Sequence, residues 1–184
     1  PTLGSELVAN GDDDSTLPTI NSQALEYYYS SGALSTEQAY SGTKSLKVSC
    51  TSTGGNDSKV RFADGSDCGL TSGTLYKMSV WVYIPSGQGA LNELVLRYKP
   101  NGGSNTTVNS TTTTDTWVNL IGYFTDNDVT RFFEVKTPAD TDGDYFYVDV
   151  WSVKAVSGNP GIMTSMAGTF STDVPSWVSR IEDG

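Results

Sequence analysis

The stretch Leu75-Tyr76-Lys77-Met78-Ser79-Val80-Trp81-Val82-Tyr83-Ile84, closed by Pro85-Ser86-Gly87, carries a bulky apolar side chain at every even position. Successive side chains of a β-strand point to opposite faces, so Tyr76, Met78, Val80, Val82 and Ile84 are predicted to enter a core. Lys77, Ser79, Trp81 and Tyr83 are then left on the other face. Proline cannot continue a central ladder, which ends the strand at Pro85.

Similar segments lie on both sides of this one. Residues 45–50 alternate strictly, and 59–62 follow after the turn-rich Thr53-Gly54-Gly55-Asn56-Asp57, so the two are expected to pair as a hairpin. Residues 93–98 are read with Leu94, Leu96 and Tyr98 inward and Arg97 outward. A polar stretch over 101–114 separates them from strands expected over 117–124, 131–136 and 144–153. Short alternating segments divided by Gly, Asn, Asp and Ser clusters specify an all-β fold, an antiparallel β-sandwich of jelly-roll type. No period of twenty to fifty residues repeats, which argues against a solenoid or propeller.

The 184 residues suit one core. A sandwich is expected over 1–156 and an extended C-terminal arm over 157–184. The arm carries Phe170, Trp177 and Ile181 without strand alternation or helical spacing. Disordered tails are poor in such residues, so docking on its own body or a neighbouring subunit is favoured over disorder. The formal net charge of −10 opposes nucleic acid and anionic membranes as partners. Pro1-Thr2-Leu3-Gly4 shows no secretory pattern, which leads to the expectation of a cytosolic start. Cys50 and Cys68 either pair or stay as free buried thiols.

Four segments in order resemble the carbohydrate-binding modules of the cellulose- and xylan-binding group, which share a galactose-binding-like jelly roll. They are Glu6-Leu7-Val8-Ala9-Asn10-Gly11-Asp12, the stretch 39–48 around Ser41-Gly42, the stretch 70–82 with Gly73, Tyr76, Ser79 and Trp81 in step, and Phe146-Tyr147-Val148-Asp149-Val150. The resemblance implies a structural calcium ion held by Asp12 and Asp149 with carbonyls around residues 42–44. Asp13 and Asp14 depart from that group's Phe-Glu, and a single Asp149 stands where two aspartates are common. The alternative is a solvated acidic turn and a strand-capping Asp149. The Asp140-Thr141-Asp142-Gly143-Asp144 loop lacks the distal Glu of an EF-hand and reads as a turn.

A sugar site needs an aromatic platform and polar groups for hydroxyls. Trp81 and Tyr83, with Arg61 and Arg97 on neighbouring strands by the same face count, are candidates to supply one. The Tyr27-Tyr28-Tyr29 run, Tyr28 foremost, is a second. The same aromatics would equally serve a protein partner. The chain has no histidine, and its glutamates at 6, 26, 37, 93, 134 and 182 form no convincing pair in one groove, so an enzyme is not expected. The leading expectation is a virion component, a bacteriophage capsid decoration or tail protein in contact with other subunits, a homo-oligomer, and with host glycans. The alternatives are an extracellular carbohydrate-binding module of a polysaccharide-degrading enzyme, and a small glycosidase or lyase.

Overall fold

The computed structural model describes residues 2–51, 57–62, 68–99, 104–126 and 132–157. Every regular element among them is a strand. The first five are β1 (Thr2–Glu6), β2 (Val8–Ala9), β3 (Thr19–Ile20), β4 (Leu25–Tyr28) and β5 (Ser30–Ser35). The middle of the chain forms β6 (Ser45–Cys50), β7 (Lys59–Phe62), β8 (Leu75–Tyr83) and β9 (Leu94–Lys99). The last four are β10 (Thr106–Thr111), β11 (Val118–Thr125), β12 (Phe132–Lys136) and β13 (Tyr145–Ser157).

Two antiparallel sheets face each other. The first runs β11-β8-β13-β6-β5, with β1 added along β13, and the second runs β10-β9-β12-β7-β4. The even residues of β8 behave as their spacing demands: Tyr76, Met78, Val80 and Val82 are buried, while its odd residues are half-exposed. They meet Leu94, Leu96 and Tyr98 of β9, Phe133 and Val135 of β12, and Val60 and Phe62 of β7 in one continuous core. Burying side chains of this size contributes roughly 1.5–3 kcal/mol each, which fixes the register of every central strand. Cys50 and Cys68 are both buried, and no disulfide joins them.

The hairpin expected between residues 45–50 and 59–62 does not form. β6 pairs with β13 and β5 in the first sheet, whereas β7 pairs with β12 and β4 in the second. Alternation identifies the buried face of each strand but is silent on which sheet it joins, and a connection of eight residues reaches either. The polar stretch after residue 101 also holds a strand, since β10 pairs along β9 as a solvated edge.

One irregularity shapes the first sheet. Between Asp149 and Ser152 of β13 the register against β8 slips by one residue, a bulge with Val150 at φ 47°. The extra residue reverses parity along the strand. Tyr147 and Asp149 lie on the outer face before it, Ser152 and Lys154 after it, and Trp151 and Val153 are returned to the core.

Candidate functional site

The outer face of the second sheet carries a row of alternating charge. Cross-strand register aligns Glu26 of β4 with Arg61 of β7, Arg61 with Glu134 of β12, and Glu134 with Arg97 of β9. Each projects outward because its strand neighbours, such as Val60, Phe62, Phe133 and Val135, occupy the core. Arg61 Nε donates to Glu26 Oε2 at 3.3 Å, and its guanidinium lies 3.7 Å over the Tyr28 ring. Arg97 donates through Nε and a terminal nitrogen to Glu134 Oε1. Glu134 is 0% exposed, and its second oxygen, Oε2, has no hydrogen-bond partner among the described residues. Lys59 and Lys136 form the next row with Tyr28, Lys136 ion-paired with Asp57. Burial lowers the Lys59 amine below its ordinary value; the Glu134 charge opposes that shift and the Arg97 charge adds to it.

Trp81 and Tyr83 lie elsewhere. They stand on the outer face of the first sheet, the opposite side of the sandwich from Arg61, Arg97 and Tyr28, which corrects the expectation of one shared surface. Face counting within strands was sound, but it could not tell that β8 and β7 belong to different sheets. Around Trp81 the rings pack on one another. Tyr40 stacks on Trp81 with centroids 3.6 Å apart, and Trp117 sits 6.1 Å from Tyr40 and 5.5 Å from Tyr83. Tyr83 meets Tyr147 edge-on at 6.0 Å. The mutual tilts, 51° to 71° beyond the first pair, make this a packed cluster with no single flat platform.

The acidic segment after β2 is tied to the Tyr40–Lys44 loop by carboxylates. Asp149 Oδ2 accepts from the Tyr40 and Ser41 amides at 2.9 and 3.1 Å, and its Oδ1 from Val150 N at 2.8 Å. Burial raises the Asp149 carboxyl above its usual range against these three amides, and the negative charge of Asp12 adds to the rise. Asp14 accepts from Thr43 N, Thr43 Oγ1 and Lys44 N, at 2.7 to 2.9 Å. Gly42, at φ 63°, lets the loop come this close, for a Cβ there would fall 2.6 Å from both Asp14 oxygens. A calcium ion takes six to eight oxygen ligands. Among the described residues no group of three acidic, His or Cys side chains is placed to hold a metal. The loop also turns amide N–H groups, the wrong polarity for a cation, toward Asp14 and Asp149. The carboxylate–amide clamp of Asp14 and Asp149 holds the loop directly.

Sequence reasoning missed Glu26, Glu134, Lys59 and Lys136 as members of one face. Their strand parity was readable, since each alternates with core residues, but their juxtaposition depends on β4, β7, β12 and β9 being neighbours. Phe170, Trp177 and Ile181 lie outside the described residues.

The described strands thus form a two-sheet sandwich whose second sheet carries a polar, ion-paired outer face. A family model described as "Carbohydrate binding domain" matches residues 18–142, and the chain belongs to that family. Its fold is similar to that of the family 22 xylan-binding domain from Paenibacillus barcinonensis, with 16% identity, a TM-score of 0.63, and coverage of 86% of this chain and 99% of that one. It is likewise similar to a C-terminal family 22 carbohydrate-binding module of Clostridium thermocellum, with 22% identity, a TM-score of 0.59, and coverage of 82% and 97%. No curated protein matches the chain in sequence.

Proposed function

We propose that the chain is a non-catalytic polysaccharide-binding module acting outside the cell, and that the outer face of the second sheet takes a xylan-type chain. Family membership supports the ligand class, and the xylan-binding function named for the similar Paenibacillus domain supports the particular polysaccharide. The observation that carries the site is Glu134. A buried carboxylate oxygen without a donor costs roughly 1–3 kcal/mol or more; Oε2 is closed to solvent in the unbound chain, so a sugar hydroxyl satisfies it once a covering side chain is displaced by the ligand. Glu134 Oε1 is already held by Arg97, and Arg61 is sandwiched between Tyr28 and Glu26, so these polar groups are fixed before a ligand arrives. Neighbouring strands lie about 4.8 Å apart, which spaces the row for a glycan lying across the strands.

The virion role has no observation among the described residues in its favour. The test is calorimetric titration with xylohexaose, with cellohexaose as comparator, on the native chain and on Glu134→Gln and Arg97→Ala. Binding should weaken at least about tenfold in each variant, the effect of losing one charge-assisted hydrogen bond. Binding of neither sugar, or affinities indifferent to both substitutions, would refute the proposal. Release of reducing ends from xylan would instead reinstate an enzyme.

A further inference from the structure

On the other side of the sandwich, where β1 pairs along the end of β13, lies a cavity of about 510 Å³ lined by Glu6, Asp12, Lys77, Ser79, Val150 and Lys154, among others. Its volume falls within the roughly 300–1,000 Å³ of small-molecule sites. Cross-strand register sets Lys77 directly opposite Lys154, and Ser79 opposite Ser152. Like charges so placed repel each other. Glu6 offsets only one of them: its Oε2 lies 3.5 Å from Lys154 and takes the Ser152 hydroxyl, while its Oε1 is used by the Leu7, Val8 and Val153 amides. Lys77 has no ion pair or hydrogen bond among the described residues, nor has the Asp12 carboxylate, nor the Ser79 hydroxyl.

The bulge in β13 forms part of the cavity wall, through Val150, Trp151 and Ser152. Val150 is β-branched and held at φ 47°, a conformation costing about 1–3 kcal/mol. The same bulge turns Ser152 and Lys154 outward to complete the wall. A cation, a carboxylate and a hydroxyl left unspent around one polar hollow form the donor and acceptor set that a neutral sugar residue meets with its hydroxyls. Two residues along β8, Trp81 continues the surface under the stacked and exposed Tyr40 ring.

We infer that this cavity is a second saccharide-binding site, back to back with the first, in which Lys77 donates to and Asp12 accepts from the hydroxyls of a neutral sugar. The inference rests on the chain being a polysaccharide-binding module, but on none of the residues of the Glu26–Arg97 row. Two sites on opposite faces let one chain bridge two glycans.

Calorimetric stoichiometry with xylohexaose separates the two. The native chain is expected to bind two hexasaccharides. Lys77→Ala and Asp12→Asn should each weaken one site at least about tenfold and leave the other, while Glu134→Gln does the reverse. Native chain should also precipitate soluble xylan by cross-linking, and either single-site variant should not. Thermal unfolding checks that each variant is folded, and Asp12→Asn stands in if Lys77→Ala is not. One hexasaccharide per chain, lost in Glu134→Gln and untouched by Lys77→Ala and Asp12→Asn, would overturn the second site while leaving the first. Binding lost with Lys77→Ala or Asp12→Asn but not Glu134→Gln would keep the second site and refute the first. No binding at all would remove both.

Discussion

Asp144, at the turn into β13, is a severe test of how this sandwich is held together. Its Oδ1 accepts from Gly89 N at 2.5 Å, and its Oδ2 from Ala90 N, Leu91 N, Thr141 N and Thr141 Oγ1 at 2.9 to 3.0 Å. One carboxylate thereby pins the segment that carries the chain from β8 in the first sheet to β9 in the second. Gly89 is required for that approach, because a Cβ there would lie 2.2 Å from Thr141 Oγ1. Burial of Asp144 opposes its charge, yet the amides of Ala90, Gly89, Thr141 and Leu91 prevail and lower its pKa from 3.8 to about 2. A depressed pKa means that the unfolded chain binds the proton more readily. The stabilisation is therefore complete above about pH 4 and is lost as pH falls toward 2. At about 1.4 kcal/mol per pKa unit, it amounts to roughly 2.5 kcal/mol. Asp144→Asn removes the charge and forces an NH2 group against at least one of these donors. The melting temperature at pH 7 should drop by about 5–10 °C, at 2–4 °C per kcal/mol for a chain of this size. Thermal unfolding of native and variant chains between pH 7 and pH 2 should show curves that converge below pH 4. A drop under about 1 °C, or curves that stay parallel through that window, would refute the reasoning.

Val150→Gly relieves a β-branched residue at φ 47°, so denaturant unfolding should show a gain of about 1 kcal/mol instead of the usual loss on placing glycine in a strand. Millimolar calcium against excess chelator should move the melting temperature by less than about 1 °C. An ion bound a hundredfold tighter than its concentration would add about 2.7 kcal/mol and raise it by several degrees. Burial pushes the Cys50 thiol up to about 12, the nearby Asp140 and Asp144 charges contributing and a hydrogen bond with Ser58 opposing. At pH 8 its thiolate is on the order of one part in ten thousand, so Cys50 should resist a thiol reagent in the native chain and react promptly in denaturant. Phe133→Ala, in the middle of the core, should cost about 3–5 kcal/mol in equilibrium unfolding.

How much could be read beforehand divides along a physical line. Period-two alternation is local, so the buried faces of β8 and β9 were legible, down to Arg97 pointing away from Leu96 and Tyr98. Strand adjacency is set by contacts distant in sequence. β6 and β7 look like a hairpin over a short connection and yet belong to opposite sheets, β6 lying between β13 and β5 and β7 between β12 and β4. That same blindness placed Trp81 beside Arg61. The bulge at Val150 left no mark, since neither neighbour is a glycine, and β10 was hidden because a solvated edge strand of threonines carries no apolar face to count. The Asp149 clamp was half legible: the residue was singled out, but the Tyr40, Ser41 and Val150 amides that donate to it follow only from the loop geometry.

Thr2 and Ser157 are cross-strand partners, so the first and last described residues meet along one margin of the first sheet. A neighbouring module joined before β1 or after β13 would leave from the same corner. A pull applied at those two points would therefore load one corner of the sheet and leave both broad surfaces unstrained.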